Sequence, residues 1–111
     1  MKNFIVLYRA PADMMSMAAE MTPEERAKGM EAWMDWAKGI GDGLVDMGAP
    51  LANSQRLSPD GSSKAVGTDV AAGYSVLQAG SMEQAKKLLE GHPHLAWNAA
   101  CSIEVYETMA M

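Results

Sequence analysis

Residues 73–107, GYSVLQAGSMEQAKKLLEGHPHLAWNAACSIEVYE, read as strand, helix and strand with both helix ends marked. Tyr74-Ser75-Val76-Leu77-Gln78 mixes aromatic, β-branched and polar residues as strands do. Ser81 stands where a hydroxyl accepts from the free amides of a first helical turn, and Gln84 completes a capping box. Ala85, Leu88 and Leu89 share one helical face, while Lys86, Lys87 and Glu90 stay in water. Gly91 supplies the left-handed position past the helix end and Pro93 forbids continuation. Cys101 to Met109 then reads as a further strand.

Upstream, Asn3 to Tyr8 forms a strand that is apolar on both faces. Such a strand needs cover on two sides, and a chain of 111 residues can hardly provide both layers, so a partner subunit is expected. Ala10-Pro11-Ala12 breaks it, and the methionine-rich run Asp13–Met21 reads as a short helix capped by Asp13, a lid or core filler. Thr22-Pro23-Glu24-Glu25 is the clearest start signal: threonine cap, proline in the first helical position, glutamate in the third. Met30, Trp33, Met34, Ala37, Ile40 and Leu44 recur at three and four residues as an apolar stripe, with the helix ending between Gly41 and Met47. Gly48–Leu51 turns into a second strand running to about Leu57. The turn-forming run Ser58–Ser63 makes a mobile hairpin loop, and a third strand follows near Val70–Ala79.

The order β-α-β-β-α-β predicts a single α+β domain over residues 1–111. Its expected form is a ferredoxin-like, antiparallel four-stranded sheet with two helices on one face. The other face is left bare, and two copies packed face to face would close a dimeric α+β barrel. Composition narrows the partners. A formal charge of −5 without a lysine or arginine cluster argues against nucleic acid. No apolar run approaches the roughly 18–20 residues that cross a bilayer, and the N-terminal run Phe4–Tyr8 is too short for a signal peptide. Cys101 is the single cysteine, so no internal disulfide forms, and a reducing, cytoplasmic setting is expected.

Few residues offer chemistry. His92 and His94 are the only histidines, and two apart in an extended segment they would point the same way. No nearby ligand set completes a metal site, so no metal and no cofactor are expected. The bland role for His92 is to bond the last helical carbonyls. Asp46 sits near a helix C-terminus, where the dipole disfavours a carboxylate, and could orient a histidine or accept a proton. Trp33 and Trp36 share a helical face as core, dimer or ligand contacts, and Tyr8 and Tyr74 could place hydroxyls at a pocket rim. In the sequence no histidine or cationic residue neighbours Cys101 to activate it.

Taken in order and spacing, FIVLYRAP, TPEE before a tryptophan-bearing helix, GLVDMGAPL, GYSVLQAGSMEQA, GHPHL and SIEVYE resemble the YCII-related family over nearly the whole chain. The resemblance implies the ferredoxin-like dimeric barrel. It also implies, for the family's enzymatic candidates, a histidine–aspartate pair in a pocket beside the sheet. The family's pocket histidine lies on the first long helix; here no histidine occurs between Thr22 and Met47, and Trp33 and Trp36 occupy that region. Gly67-Thr68-Asp69-Val70 likewise departs from the Asp-Gly-Pro-Phe tetrapeptide of a related branch.

The leading expectation is a homodimer that binds a small organic ligand in a cleft between sheet and helices. The alternative is a cofactor-free lyase or isomerase using Asp46 with His92 or His94, and a third is a structural interaction module. Chain order places Asp46 and the histidine segment at one edge of the layer, which predicts a shared pocket and a raised histidine pKa.

Overall fold

Alternation within Lys2–Pro11, strand β1, sets the layers. Phe4, Val6, Tyr8 and Ala10 are buried on one side, while Ile5 on the other side is 40% exposed. The computed structural model describes residues 1–13, 21–97 and 99–109. β1 is flanked by β5 (Asp69–Ala79) and β6 (Ser102–Glu107), both antiparallel to it, with Phe4 opposite Leu77 and Ile5 opposite both Val76 and Tyr106. β2 (Leu44–Asp46) pairs antiparallel with the outer side of β5, giving the sheet order β2-β5-β1-β6. The result is an α+β structure with a four-stranded antiparallel sheet and helices, compatible with a ferredoxin-like fold. No helix among the described residues is long and apolar enough to cross a membrane.

Helix α1 (Pro23–Ile40) starts as its sequence demands. Thr22 Oγ1 accepts from the Glu25 amide at 3.2 Å, and the Glu25 carboxylate accepts from the Thr22 amide at 3.3 Å. It ends at Gly41, whose φ of +63° suits glycine and whose amide donates to the Ala37 carbonyl. A single 3-10 turn, Gly41–Gly43, follows. α2 (Met82–Leu88) is capped by Ser81, which accepts from the Gln84 amide at 3.2 Å; the Gln84 side chain reaches back to the Gly80 amide at 2.8 Å. Trp33, Trp36 and Ile40 from α1, with Met82, Ala85, Leu88 and Leu89 around α2, pack on one cluster with Phe4, Val6, Tyr8, Leu77 and Ala79. Burying each large member of that cluster contributes about 1.5–3 kcal/mol. α1 itself has no buried residue, so it rides on this core through half-buried Trp33, Trp36 and Ile40.

Three expectations need correction. The second strand of the sheet is Leu44–Asp46, not the strand expected to follow the Gly48–Leu51 turn and run to about Leu57, because the chain leaves the helix at Gly41 and is already extended at Leu44. Of the expected strand, Gln55–Leu57 (β3) pairs only with Ser63–Ala65 (β4), in a separate two-stranded hairpin closed at Ser58–Ser62. The segment after Gly91 is not extended: Pro93–Trp97 forms a short helix, α3. The expected Asp13–Met21 helix falls largely on residues 14–20, outside the described residues.

α2 ends before Gly91, with Leu89 as its cap residue, yet Gly91 holds the left-handed conformation at φ +72° and nothing lies within 4 Å of the Cβ it lacks. Gly91→Ala is therefore expected to lose about 1 kcal/mol of stability, from backbone strain without any collision. A chemical denaturation midpoint unchanged from wild type would show that the turn tolerates a side chain there.

Candidate functional site

The polar groups buried among aromatic rings all meet at Tyr8. Its position in β1 turns it to the helix-covered side, where Gly73 across the strand pair leaves space for the ring: a Cβ on Gly73 would touch Tyr8 at 3.4 Å. The Tyr8 hydroxyl donates to Ser75 Oγ at 2.8 Å, and Ser75 Oγ donates to the Met47 carbonyl at 2.8 Å. This chain ties β1 to β5 and to the loop after β2. Burial pushes the Tyr8 phenol up to about 12, partly offset by its bond with Ser75.

His92 stacks on Tyr8 with ring centroids 4.8 Å apart and meets Trp33 and Trp36 edge to face at 4.4 and 4.3 Å. The sequence puts it there because His92 precedes Pro93, the first residue of α3. His92 Nδ1 accepts from the His94 amide at 3.0 Å, capping that helix. An accepting Nδ1 carries no proton, so in the neutral ring the proton is on Nε2. His92 is fully buried, and among the described residues Nε2 has no hydrogen-bond partner. Burial, and then the neighbouring His94, hold the His92 pKa down to about 4. His94 is also buried, and its Nε2–H donates to the Arg9 carbonyl at 2.8 Å, pinning α3 to β1.

The structure gathers Tyr8, Trp33, Trp36, His92 and His94 into one cluster. Asp46 and Tyr74 lie elsewhere. The Asp46 carboxylate is exposed and accepts from the Gly48 amide at 2.8 Å, a local turn bond. It is not among the groups acting on His92, whose pKa moves down rather than in the expected upward direction. Tyr74 pairs with Leu7 on the open face, so the sheet separates it from Tyr8, which is buried rather than at a rim. Trp36 Nε1 is committed to the Leu88 carbonyl at 3.0 Å. Ser75 escaped the sequence reading, although its alternation with Gly73 and Leu77 already places a hydroxyl on the core side of a strand.

An open depression of about 610 Å³ lies elsewhere, lined by Pro11, Ala12, Asp13, Gly67, Thr68, Asp69 and Ala100. It touches none of the aromatic cluster and brings no histidine or cysteine together with its two carboxylates. Among the described residues, no three His, Cys, Asp or Glu side chains could together hold a metal ion. Comparison with protein-family models and with curated proteins finds no match.

Proposed function

We propose that this chain binds a small, apolar organic molecule bearing an uncharged hydrogen-bond acceptor, between α1 and the sheet. The observation that carries this reading is the buried, unpartnered Nε2–H of His92 among Tyr8, Trp33 and Trp36. A buried donor left unpaired costs about 1–3 kcal/mol, which an incoming carbonyl or ether oxygen would recover. The wall that must yield is α1, which has no buried residue. The acceptor should be uncharged because the His92 ring itself stays neutral above about pH 4 and so supplies no counter-charge.

The test is a titration with acetophenone, an aryl ketone, followed by tryptophan emission and by the NMR resonance of His92 Nε2. Expected are saturable changes in both, and a loss of affinity of about tenfold in His92→Phe. Quenching without any shift at Nε2, or equal affinity in the variant, would defeat the reading. The competing reading is structural. The rings of Trp33 and Trp36 stand at 87° and 65° to the imidazole, a geometry that suits a weak N–H contact with a ring face. In that case acetophenone leaves the resonance where it is. The acid–base alternative has less behind it, since His92 Nδ1 is occupied and Asp46 bonds to its own turn.

The finer architecture belongs to the same proposal: a YCII-like, ferredoxin-like subunit that dimerises into an α+β barrel. What supports it is the open sheet face. There Tyr106, Ile5 and Val76 form one row across three strands, with Tyr106 51% and Ile5 40% exposed. A row of large apolar side chains on a sheet face marks an interaction surface. Sedimentation equilibrium should give twice the chain mass for wild type and the single-chain mass for Val76→Arg. A wild type that stays monomeric at every concentration would remove the barrel.

A further inference from the structure

We propose that the β3–β4 hairpin is an arm that docks on a second copy of this chain; the inference rests on the dimer reading above. All six strand residues of the hairpin are exposed, Leu57 at 76%, and neither strand packs against another element beyond a marginal touch. A lone two-stranded hairpin is at best marginally stable in water. This one carries a further burden, for Arg56 lies directly opposite Lys64. Like charges across a strand pair repel, and neither cation has a carboxylate in salt-bridge reach among the described residues.

The tip, by contrast, is well built. Ser58 and Ser62 close it backbone to backbone at 2.9 Å, and Asp60 Oδ1 accepts from the Ser62 amide and hydroxyl at 2.8 and 2.7 Å. Asp60 is thereby committed to the turn and leaves the two cations unneutralised. The roots are also fixed: Pro50 bridges to Gly73 and the Leu51 amide donates to the Ala72 carbonyl at 2.9 Å. The arm thus leaves the sheet beside its edge strand β2 with a defined turn and unsupported strands.

Charge selects the occupant. With Arg56 and Lys64 against Asp60 the arm is net +1, whereas the chain is −5, leaving −6 on everything else. A second copy therefore offers a surface of the opposite sign, and a symmetric pair makes the contact twice. Leu57, beside Arg56, supplies the apolar anchor.

Trypsin reads the arm directly, because Arg56 and Lys64 are themselves cleavage sites. Wild type, diluted through its dimer dissociation, is treated with trypsin, and cleavage after these two residues is followed by mass spectrometry, with Val76→Arg as the monomer reference. Cleavage is expected about tenfold or more slower in the dimer, rising on dilution. The variant Arg56→Glu/Leu57→Asp/Lys64→Glu should raise the dimer dissociation constant about tenfold or more with an unchanged far-UV spectrum. A wild-type dimer whose arm is cut as fast as the monomer's, or whose affinity ignores the triple variant, overturns the arm and leaves the dimer standing. A wild type that never dimerises removes both. Protection that appears only on adding inorganic phosphate, at unchanged mass, overturns the proposal in favour of an anion on the Arg56–Lys64 pair.

Discussion

Gly48→Ala is expected to lose about 4 kcal/mol or more of stability, enough to keep many domains of this size from folding. An alanine Cβ would stand 1.7 Å from the Tyr74 carbonyl oxygen and 2.6 Å from its carbon, and the backbone there is left-handed at φ +78°. Neither partner can step aside. The loop is held by the Asp46 bond to the Gly48 amide, the Ser75 bond to the Met47 carbonyl and the Tyr74 amide on the Ala49 carbonyl at 3.3 Å. Moving the loop breaks the chain from Tyr8 through Ser75, so the penalty reaches the core. Gly91→Ala is the internal control, with nearly the same φ and open space around it. Chemical denaturation of both variants separates backbone strain from collision. If the two lose the same amount, the close approach of loop and strand at Gly48 is not what holds that glycine.

Acid should destabilise the fold through His92, by about 3 kcal/mol between pH 6.5 and 4. Its pKa is about 4 in the folded chain against an ordinary 6.5, because burial and then His94 oppose a charge there. Above pH 6.5 the ring is neutral in both states and its contribution is fully present. As pH falls below 6.5 the unfolded chain takes up the proton first, and stability drops until the folded ring protonates too. Protonation at Nδ1 also removes the acceptor that caps α3. Denaturation midpoints across this window should fall steeply for wild type and less so for His92→Phe, although that variant starts lower at neutral pH. Carboxylate titration is common to both and cancels in the comparison. Parallel pH profiles would mean that His92 does not set the acid limit.

Much of the scaffold was written in local chemistry. Thr22-Pro23-Glu24-Glu25 and Ser81 announce their helices because caps act within three residues, and the strands Asp69–Ala79 and Ser102–Glu107 begin and end within a residue or two of expectation. β2 was illegible for an equally local reason. Leu44 follows Ile40 by four residues and so continues the helical stripe, while three residues are too few to reveal a strand period. Gln55–Leu57 does extend, but pairing partners are a tertiary matter.

The candidate site divides along the same line. Chain order placed the ends of two helices at one edge, but it does not say which side of the sheet a side chain takes or what claims it first. Asp46-Met47-Gly48 is an aspartate two residues before a turn glycine, a spacing that closes on its own backbone. His92 before Pro93 is likewise a cap position, and reading the segment as extended concealed it. The orphaned Nε2 has no sequence signature, because it follows from four rings meeting across three elements.

One feature of α1 bears on how the molecule is observed. The helix buries none of its residues, yet it bears Trp33 and Trp36, two of the three tryptophans. Segments with few buried contacts open at lower free energy than the core does. Tryptophan emission therefore reports on a layer that can lift away while β1 and β5 remain paired. Coincidence of that signal with the loss of strand dichroism becomes the criterion for two-state unfolding here. Two of its three tryptophans report on the one long described helix that buries none of its residues.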